Sequence, residues 1–351
     1  MSLLDDSLDV RVREAFAAYE TMDLQFGQSW LSNMAAHALD DHNRSVIYIA
    51  RLSPDNFIAF PMKLDARNGH ICSLSTFYTS NFSPVVCSAT PEVLFDSLFQ
   101  HLAKVEKIST ITLFPMDPDS PLFDLIHRSL ARAGWKGIHS FFCFGNWTHE
   151  VDSSSYQSYL ESRPSRLKNT ITRRTRQFLD ADRGQLRIVQ SVDVLDGAIK
   201  QFVAVYNSSW KAKEPYPDFI PQLLRLSAQQ GWLRLGIATY DNKPVASQIW
   251  LVWKGTAYIF KLAYDENYAK LSPGTVLTAF MMEHVINKDV VSRIDYLSGD
   301  DDYKKDWMSV RKERHGIAAY NPWTLRGRAM FFGRTVKSLV KMLGIRKLPR
   351  R

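Results

Sequence analysis

Tyr258-Ile-Phe-Lys-Leu-Ala-Tyr264, Leu271-Ser-Pro-Gly-Thr275, Ser292-Arg-Ile-Asp-Tyr-Leu297 and Gly299-Asp-Asp-Asp-Tyr-Lys-Lys-Asp-Trp307 follow one another along the chain, and their order decides the fold. The first is an apolar strand and the second a turn that opens an amphipathic helix from Val276 to about Asn287. The third is another strand and the fourth a charged turn. A strand that feeds through Pro-Gly into a helix start makes an anion site, because the first helical N–H groups lack internal acceptors and the helix dipole favours negative charge there. Gly274 leaves the backbone open to a phosphate, and Pro273 stiffens the turn. The spacing points to a diphosphate-carrying ligand at Gly274, with chemistry near Asp295 to Trp307.

Working outward, the same order of elements occurs twice. In the first half, Val46–Leu52, Phe57–Leu64 and His70–Phe77 read as strands separated by turn residues. A helix starting at Pro91, a strand Thr110–Phe114, a helix near Pro121–Ala133 and a strand from Trp135 to about Trp147 follow. In the second half, Leu233–Tyr240, Val245–Val252 and Tyr258–Tyr264 precede the helix, the strand Ser292–Leu297, a short charged helix and a strand near Glu313–Tyr320. Corresponding elements are offset by about 185 residues, which argues for two copies of one α/β unit with mixed sheets. Where the second copy has Ser272-Pro-Gly274, the first has Ser83-Pro-Val85, and a valine there is expected to block the ligand.

The expected division is residues 1–150, a degenerate first copy; 151–322, the copy with the site; and 323–351, a basic tail. With 351 residues, 45% hydrophobic and 23% charged, the chain has the composition of a soluble globular protein. The three cysteines form no CxxC pair, and the nine histidines include no HExxH, so no metal site is expected. The start is acidic, with neither the basic nor the apolar region of a signal peptide, and no apolar run is long enough to span a bilayer, so a cytoplasmic location is expected.

The net charge of +8 is local. Trp323 to Arg351 holds nine Lys or Arg and no acid, which leaves 8 − 9 = −1 for the rest. In this tail Phe332, Val336, Leu339, Val340 and Leu343 fall on one helical face, with Arg334, Lys337 and Lys341 on the other. The pattern suits both contact with an anionic membrane through residues 324–343 and docking on the body. A second basic stretch, Arg163 to Arg176, spreads its charge around a helix rather than along one face, which disfavours nucleic acid as a partner.

The charged turn supplies the candidates for chemistry. A carboxylate at a strand end can take a proton from an amine, and a tyrosine hydroxyl can protonate a thiolate. Asp301 and Asp302 read as solvated. Asp295 lies between Ile294 and Tyr296 and needs a partner if buried; Arg293 is one, so structural and catalytic roles stay open.

Together, Pro244-Val-Ala-Ser-Gln248, Lys261-Leu-Ala-Tyr-Asp265, Tyr268-Ala-Lys-Leu-Ser-Pro-Gly274, Asp295-Tyr-Leu-Ser-Gly-Asp300 and Tyr303-Lys-Lys-Asp-Trp307 resemble the CelD-like acetyltransferases of the GNAT superfamily, double-GNAT proteins linked to bacterial exopolysaccharide or cellulose synthesis. The resemblance implies a tandem double GNAT fold, distantly Fem-like, and acyl transfer from acetyl-CoA or a longer acyl-CoA to an amine, such as an amino sugar. It places the thioester along Leu262 and Ala263, and the pyrophosphate on Ser272, Pro273, Gly274 and Thr275. Only Gly274 matches the fuller Arg/Gln-x-x-Gly-x-Gly/Ala loop of single-domain members. Asp295, Asp300, Tyr303 and Lys304 are the candidate catalytic residues, with Asp295 or Asp300 as base and Tyr303 as acid. The rival readings are a Fem-like transferase using aminoacyl-tRNA and a non-catalytic membrane-surface scaffold of a glycan-synthesis complex.

Overall fold

Side-chain caps and turn residues punctuate the chain from its first helix onward. The computed structural model describes residues 8–152 and 155–342, with side chains of the last helix described through residue 334. Asp9 accepts the Arg11 N–H and starts α1 (Val10–Glu20); α2 (Gln28–His37) follows. A turn at Ser53 to Asn56 joins β1 (Asn43–Ser53) to β2 (Asn56–Asp65), and β3 (His70–Ser73) follows Gly69, whose φ is +56°. Then come β4 (Val85–Cys87), α3 (Pro91–Lys104), β5 (Thr110–Met116), α4 (Pro121–Arg132) and β6 (Lys136–Glu150). Proline occupies the first turn of α3 and of α4, where its missing N–H costs nothing.

The later part continues with α5 (Tyr156–Glu161), α6 (Ser165–Leu179), β7 (Gly184–Val189), α7 (Leu195–Asn207), α8 (Phe219–Gln229), β8 (Leu233–Tyr240) and β9 (Lys243–Trp253). Next are β10 (Thr256–Tyr264), α9 (Pro273–Asn287), β11 (Arg293–Ser298), α10 (Lys304–Trp307), β12 (Val310–Tyr320) and α11 (Leu325–Met342). Pro164 separates α5 from α6.

The chain forms two compact units, Met1–Cys143 with Glu313–Arg351, and Phe144–Lys312. This differs from the sequential division at residues 150 and 322, for a reason of strand pairing. The end of β6 pairs with β11 in the second unit, from Arg293↔Glu150 to Ser298↔Asn146. The end of β12 pairs with β5 in the first, from His315↔Met116 to Tyr320↔Thr110. Each copy's last strand therefore completes the other copy's sheet. The first unit has the order β1-β2-β3-β5-β12 with β4 beside β2, and the second β6-β11-β10-β9-β8-β7.

Each unit has its own core. In the first, Leu94, Leu98 and Leu102 recur at every fourth position of α3, and Phe60 meets Phe95 edge-on at 5.9 Å. In the second, α9 is buried on most of its circumference, through Val276, Leu277, Met281, Met282 and Val285.

The internal repeat is plain in the strand registers. β3 runs parallel to β5 over His70↔Thr110 to Cys72↔Thr112, and β10 runs parallel to β11 over Thr256↔Arg293 to Tyr258↔Asp295. The equivalence of Val85 with Gly274 does not hold, however. Val85 pairs with Ala59 in β4, and the helix matching α9 starts at Pro91. The counterpart of Gly274 is Glu92, whose carboxylate already answers the helix dipole.

The space beyond β3 is filled by its own chain. The Ser73 hydroxyl accepts the Phe114 N–H (3.0 Å) and donates to the Phe114 carbonyl, which ties β3 to β5 where β10 and β11 part. Phe82 donates its N–H to the Pro115 carbonyl (2.6 Å) and buries its ring against Phe60. Gln25, only 4% exposed, holds this segment: its Oε1 accepts the N–H groups of Ser80 (2.7 Å) and Asn81 (3.2 Å), and its Nε2 donates to the Tyr78 carbonyl (3.2 Å). Gln25→Ala leaves those buried groups unmatched, so we expect a loss of about 1–3 kcal/mol in urea unfolding; an unchanged midpoint would show that Gln25 does not hold the segment.

Candidate functional site

A buried carboxylate shapes the opening in the second unit. Asp295 Oδ1 accepts the Leu297 N–H (2.7 Å) and Asn146 Nδ2 (2.7 Å), and the same Nδ2 donates to the Leu297 carbonyl (2.9 Å). Leu297 thereby takes a φ of +53°, and the register of β11 shifts between Asp295 and Ser298. Arg293 lies 3.6 Å from the other Asp295 oxygen. β10 has its own register shift, between Ile259 and Lys261. After three parallel rungs the two strands diverge, and β10 continues to Tyr264 with β9 alone as partner. From Leu262 to Tyr264 it borders the opening, where a strand edge can offer backbone N–H and C=O groups to a ligand.

A cavity of about 620 Å³ occupies the opening, within the range of sites for small ligands. Leu262, Ala263 and Tyr264 line it from β10, and Gly274, Thr275 and Thr278 from α9. The helix begins at Pro273, a turn earlier than the sequence pattern indicates, after Ser272 in the left-handed region (φ 52°). Gly274 and Thr275 therefore supply leading N–H groups of a 15-residue helix. A Cβ on Gly274 would stand 3.2 Å from the Tyr264 ring, so any side chain here crowds the wall. Buried Gln248 fixes the helix start: Nε2 donates to the Gly274 carbonyl (3.0 Å) and to Thr278 Oγ1 (2.8 Å), while Oε1 accepts from Trp250 Nε1 (2.9 Å). Ser272 and Pro273 shape this turn without lining the cavity.

The four candidate catalytic residues separate by position. Tyr303 lines the cavity, and burial raises its hydroxyl pKa well above the ordinary value, so it is a neutral donor. Asp295, Asp300 and Lys304 do not line the cavity: Asp295 and Lys304 are buried outside it, and Asp300 is exposed. Asp300 is held by Arg311, at 2.6 Å from Nη2, and by Trp147 Nε1 at 2.8 Å. The Arg311 hydrogen bond first, then that of Trp147, brings its carboxyl down to about 2. Lys304 is 3% exposed and donates to the carbonyls of Ser298 (2.7 Å) and Gly299 (3.1 Å), which pins the charged turn; burial lowers its pKa.

Other wall residues carry polar groups that the sequence reading passed over. Tyr296, 3% exposed, packs edge-on against Tyr303 at 5.8 Å. Its hydroxyl makes no hydrogen bond of ordinary geometry, although Thr278 is near enough to draw its raised pKa slightly back. Trp210 lies against Tyr264 at 4.7 Å, and the adjacent Lys211 reaches the wall, its pKa lowered chiefly by burial and then by Lys261. The loop bearing both is tied to β10 by the partly buried pair of Glu214 and Lys261. Arg166 of α6 joins the wall and bonds Asp306 at 2.7 Å. One signal was available for Gln248: a lone amide in the apolar run Val245 to Trp253 needs a buried partner.

Residues 165–305 match the family described as acetyltransferase (GNAT) domain. The match lies within the second unit and supports an acyltransferase. Among solved structures, a tandem GNAT protein from the clavulanic acid biosynthesis pathway is similar with a TM-score of 0.56 at 11% identity, over 92% of this chain and 98% of that one. L-PGS from Bacillus licheniformis gives 0.55 at 10% identity, covering 95% and 97%. FemX gives 0.53 at 10%, covering 83% and 95%. At these identities the likenesses carry the fold, a tandem GNAT of mixed α/β units. No curated protein matches the chain. Among the described residues no group of His, Cys, Asp and Glu is placed to hold a metal.

The Asp300 carboxyl gives a pH signature of this geometry. A carboxyl lowered from 3.8 to about 2 contributes stability that is present above pH 4 and is lost as pH falls through about 2. Urea unfolding between about pH 4 and pH 2 should therefore have a flatter pH dependence in Asp300→Asn than in the wild type. Equal slopes would mean that Arg311 does not hold this group.

Proposed function

We propose that the second unit transfers an acyl group from an acyl-CoA to an amine, inside the opening between β10 and β11. One observation carries this reading: β10 from Leu262 to Tyr264 and the start of α9 border the same cavity. The pyrophosphate fits the N–H groups of Gly274 and Thr275, where the helix dipole favours it. The thioester lies along Leu262 and Ala263, with its carbonyl oxygen on a backbone N–H of that strand edge.

The amine nitrogen then attacks the thioester carbon. A C–N bond forms, the C–S bond breaks, and the amine loses a proton while the departing thiolate gains one. Tyr303 is the neutral donor at the wall and suits the thiolate. Asp301, on the wall and open to solvent, suits the amine proton, directly or through water. Asp295, Asp300 and Lys304 act through the shape of the turn. The resemblance to CelD-like proteins makes an amino sugar of a cell-envelope or exopolysaccharide glycan our choice of acceptor.

Thermal unfolding with CoA, acetyl-CoA and octanoyl-CoA tests donor binding. Saturation near 100 times Kd adds about 2.7 kcal/mol, a rise of several degrees, and Gly274→Val should abolish it. If no acyl-CoA raises the transition, the reading fails. Release of CoA thiol across a panel of amines tests the chemistry: Tyr303→Phe should lower turnover at least about a hundredfold and keep the thermal shift.

A further inference from the structure

We propose that the outer face of α11, bearing Leu325, Ala329 and Phe332, docks on an anionic lipid bilayer. The helix meets the first unit through a different face. A Cβ on Gly327 would stand 2.2 Å from the Asn321 carbonyl oxygen, so the helix backbone presses against the body there. One turn on, the Phe331 ring lies 6.4 Å from Tyr320, and a Cβ on Gly137 would be 2.7 Å from it. Residues four and seven apart share a helical face, so Leu325, Ala329 and Phe332 form a stripe on the side away from Gly327 and Phe331.

That stripe is apolar and open. Leu325 is 84% exposed and Phe332 62%. Exposed Arg326 and Arg328 flank it on opposite sides. At its foot, Lys136 and Arg328 border a hollow of about 290 Å³ walled by Tyr320, Pro322 and Phe331. In the sequence the apolar spacing runs on through Val336, Leu339, Val340 and Leu343, and no acidic residue follows Glu313.

Bulky apolar groups set between cations match an interfacial helix, in which the stripe enters the headgroup boundary and the arginines meet lipid phosphates. A nucleic-acid surface would use the cations and leave the stripe in water. Acyl transfer in the second unit plays no part in this.

Co-sedimentation of the full chain with vesicles of phosphatidylcholine, with and without phosphatidylglycerol, tests it. Binding should appear with phosphatidylglycerol and weaken as salt rises. Leu325→Asp with Phe332→Asp, both at exposed positions, should cut the bound fraction more than about tenfold at an unchanged melting temperature. Arg326→Glu with Arg328→Glu should do the same at low salt. Failure to bind the anionic vesicles, or equal binding by the Asp pair, overturns the assignment. So does self-association without vesicles that the Asp pair abolishes, or binding to a polyanion such as heparin with no binding to vesicles.

Discussion

Inside the second unit the Asp295 carboxylate has left water and must be matched by protein donors. The Leu297 N–H and the Asn146 amide supply them, and Arg293 adds a nearby positive charge. Satisfying the carboxylate forces Leu297 into the left-handed region and breaks the regular register of β11. The strand therefore cannot follow β10 past Tyr258, and the opening is a consequence of that mismatch. The pinning of Lys304 by the carbonyls of Ser298 and Gly299 then sets the turn that carries Tyr303 to the wall. Buried groups outside the cavity thus decide where the groups on its wall stand.

The two copies use one architecture in opposite ways. Both have a parallel pair of three rungs with a helix starting nearby. In the first, a serine hydroxyl joins the diverging strands and a phenylalanine fills the space, under the hold of Gln25. In the second, a glycine and a strand edge border an open space. Hydrogen-bonding capacity spent on the chain itself in one copy is left for a ligand in the other.

Much of the fold was legible in the sequence because periodicity and turn chemistry are local signals. Strands β1, β2, β8 and β9 stand where alternation and the Pro, Asn and Gly turns place them, and the repeat follows from element order. Other features depend on groups distant in sequence. Nothing near Asp295 announces Asn146, and nothing near Val85 shows that it pairs with Ala59 rather than starting a helix. In the site, Gly274, Leu262 and Ala263 were readable from the turn, the strand and the resemblance. Trp210, Lys211 and Arg166 reach the wall only through tertiary packing.

The exchange of last strands has a consequence for the order in which this protein can be built. On the ribosome the first copy emerges early, yet the edge of β5 has to wait for His315 to Tyr320, in the last of the described strands. Until then the nascent first unit carries an unpaired strand beside a hydrophobic interior. The second unit, from Phe144 to Lys312, is continuous in sequence and has its β6 partner already in place. The part translated later is thus the first able to close its sheet, and a cut after residue 150 would leave β5 without β12 and β11 without β6.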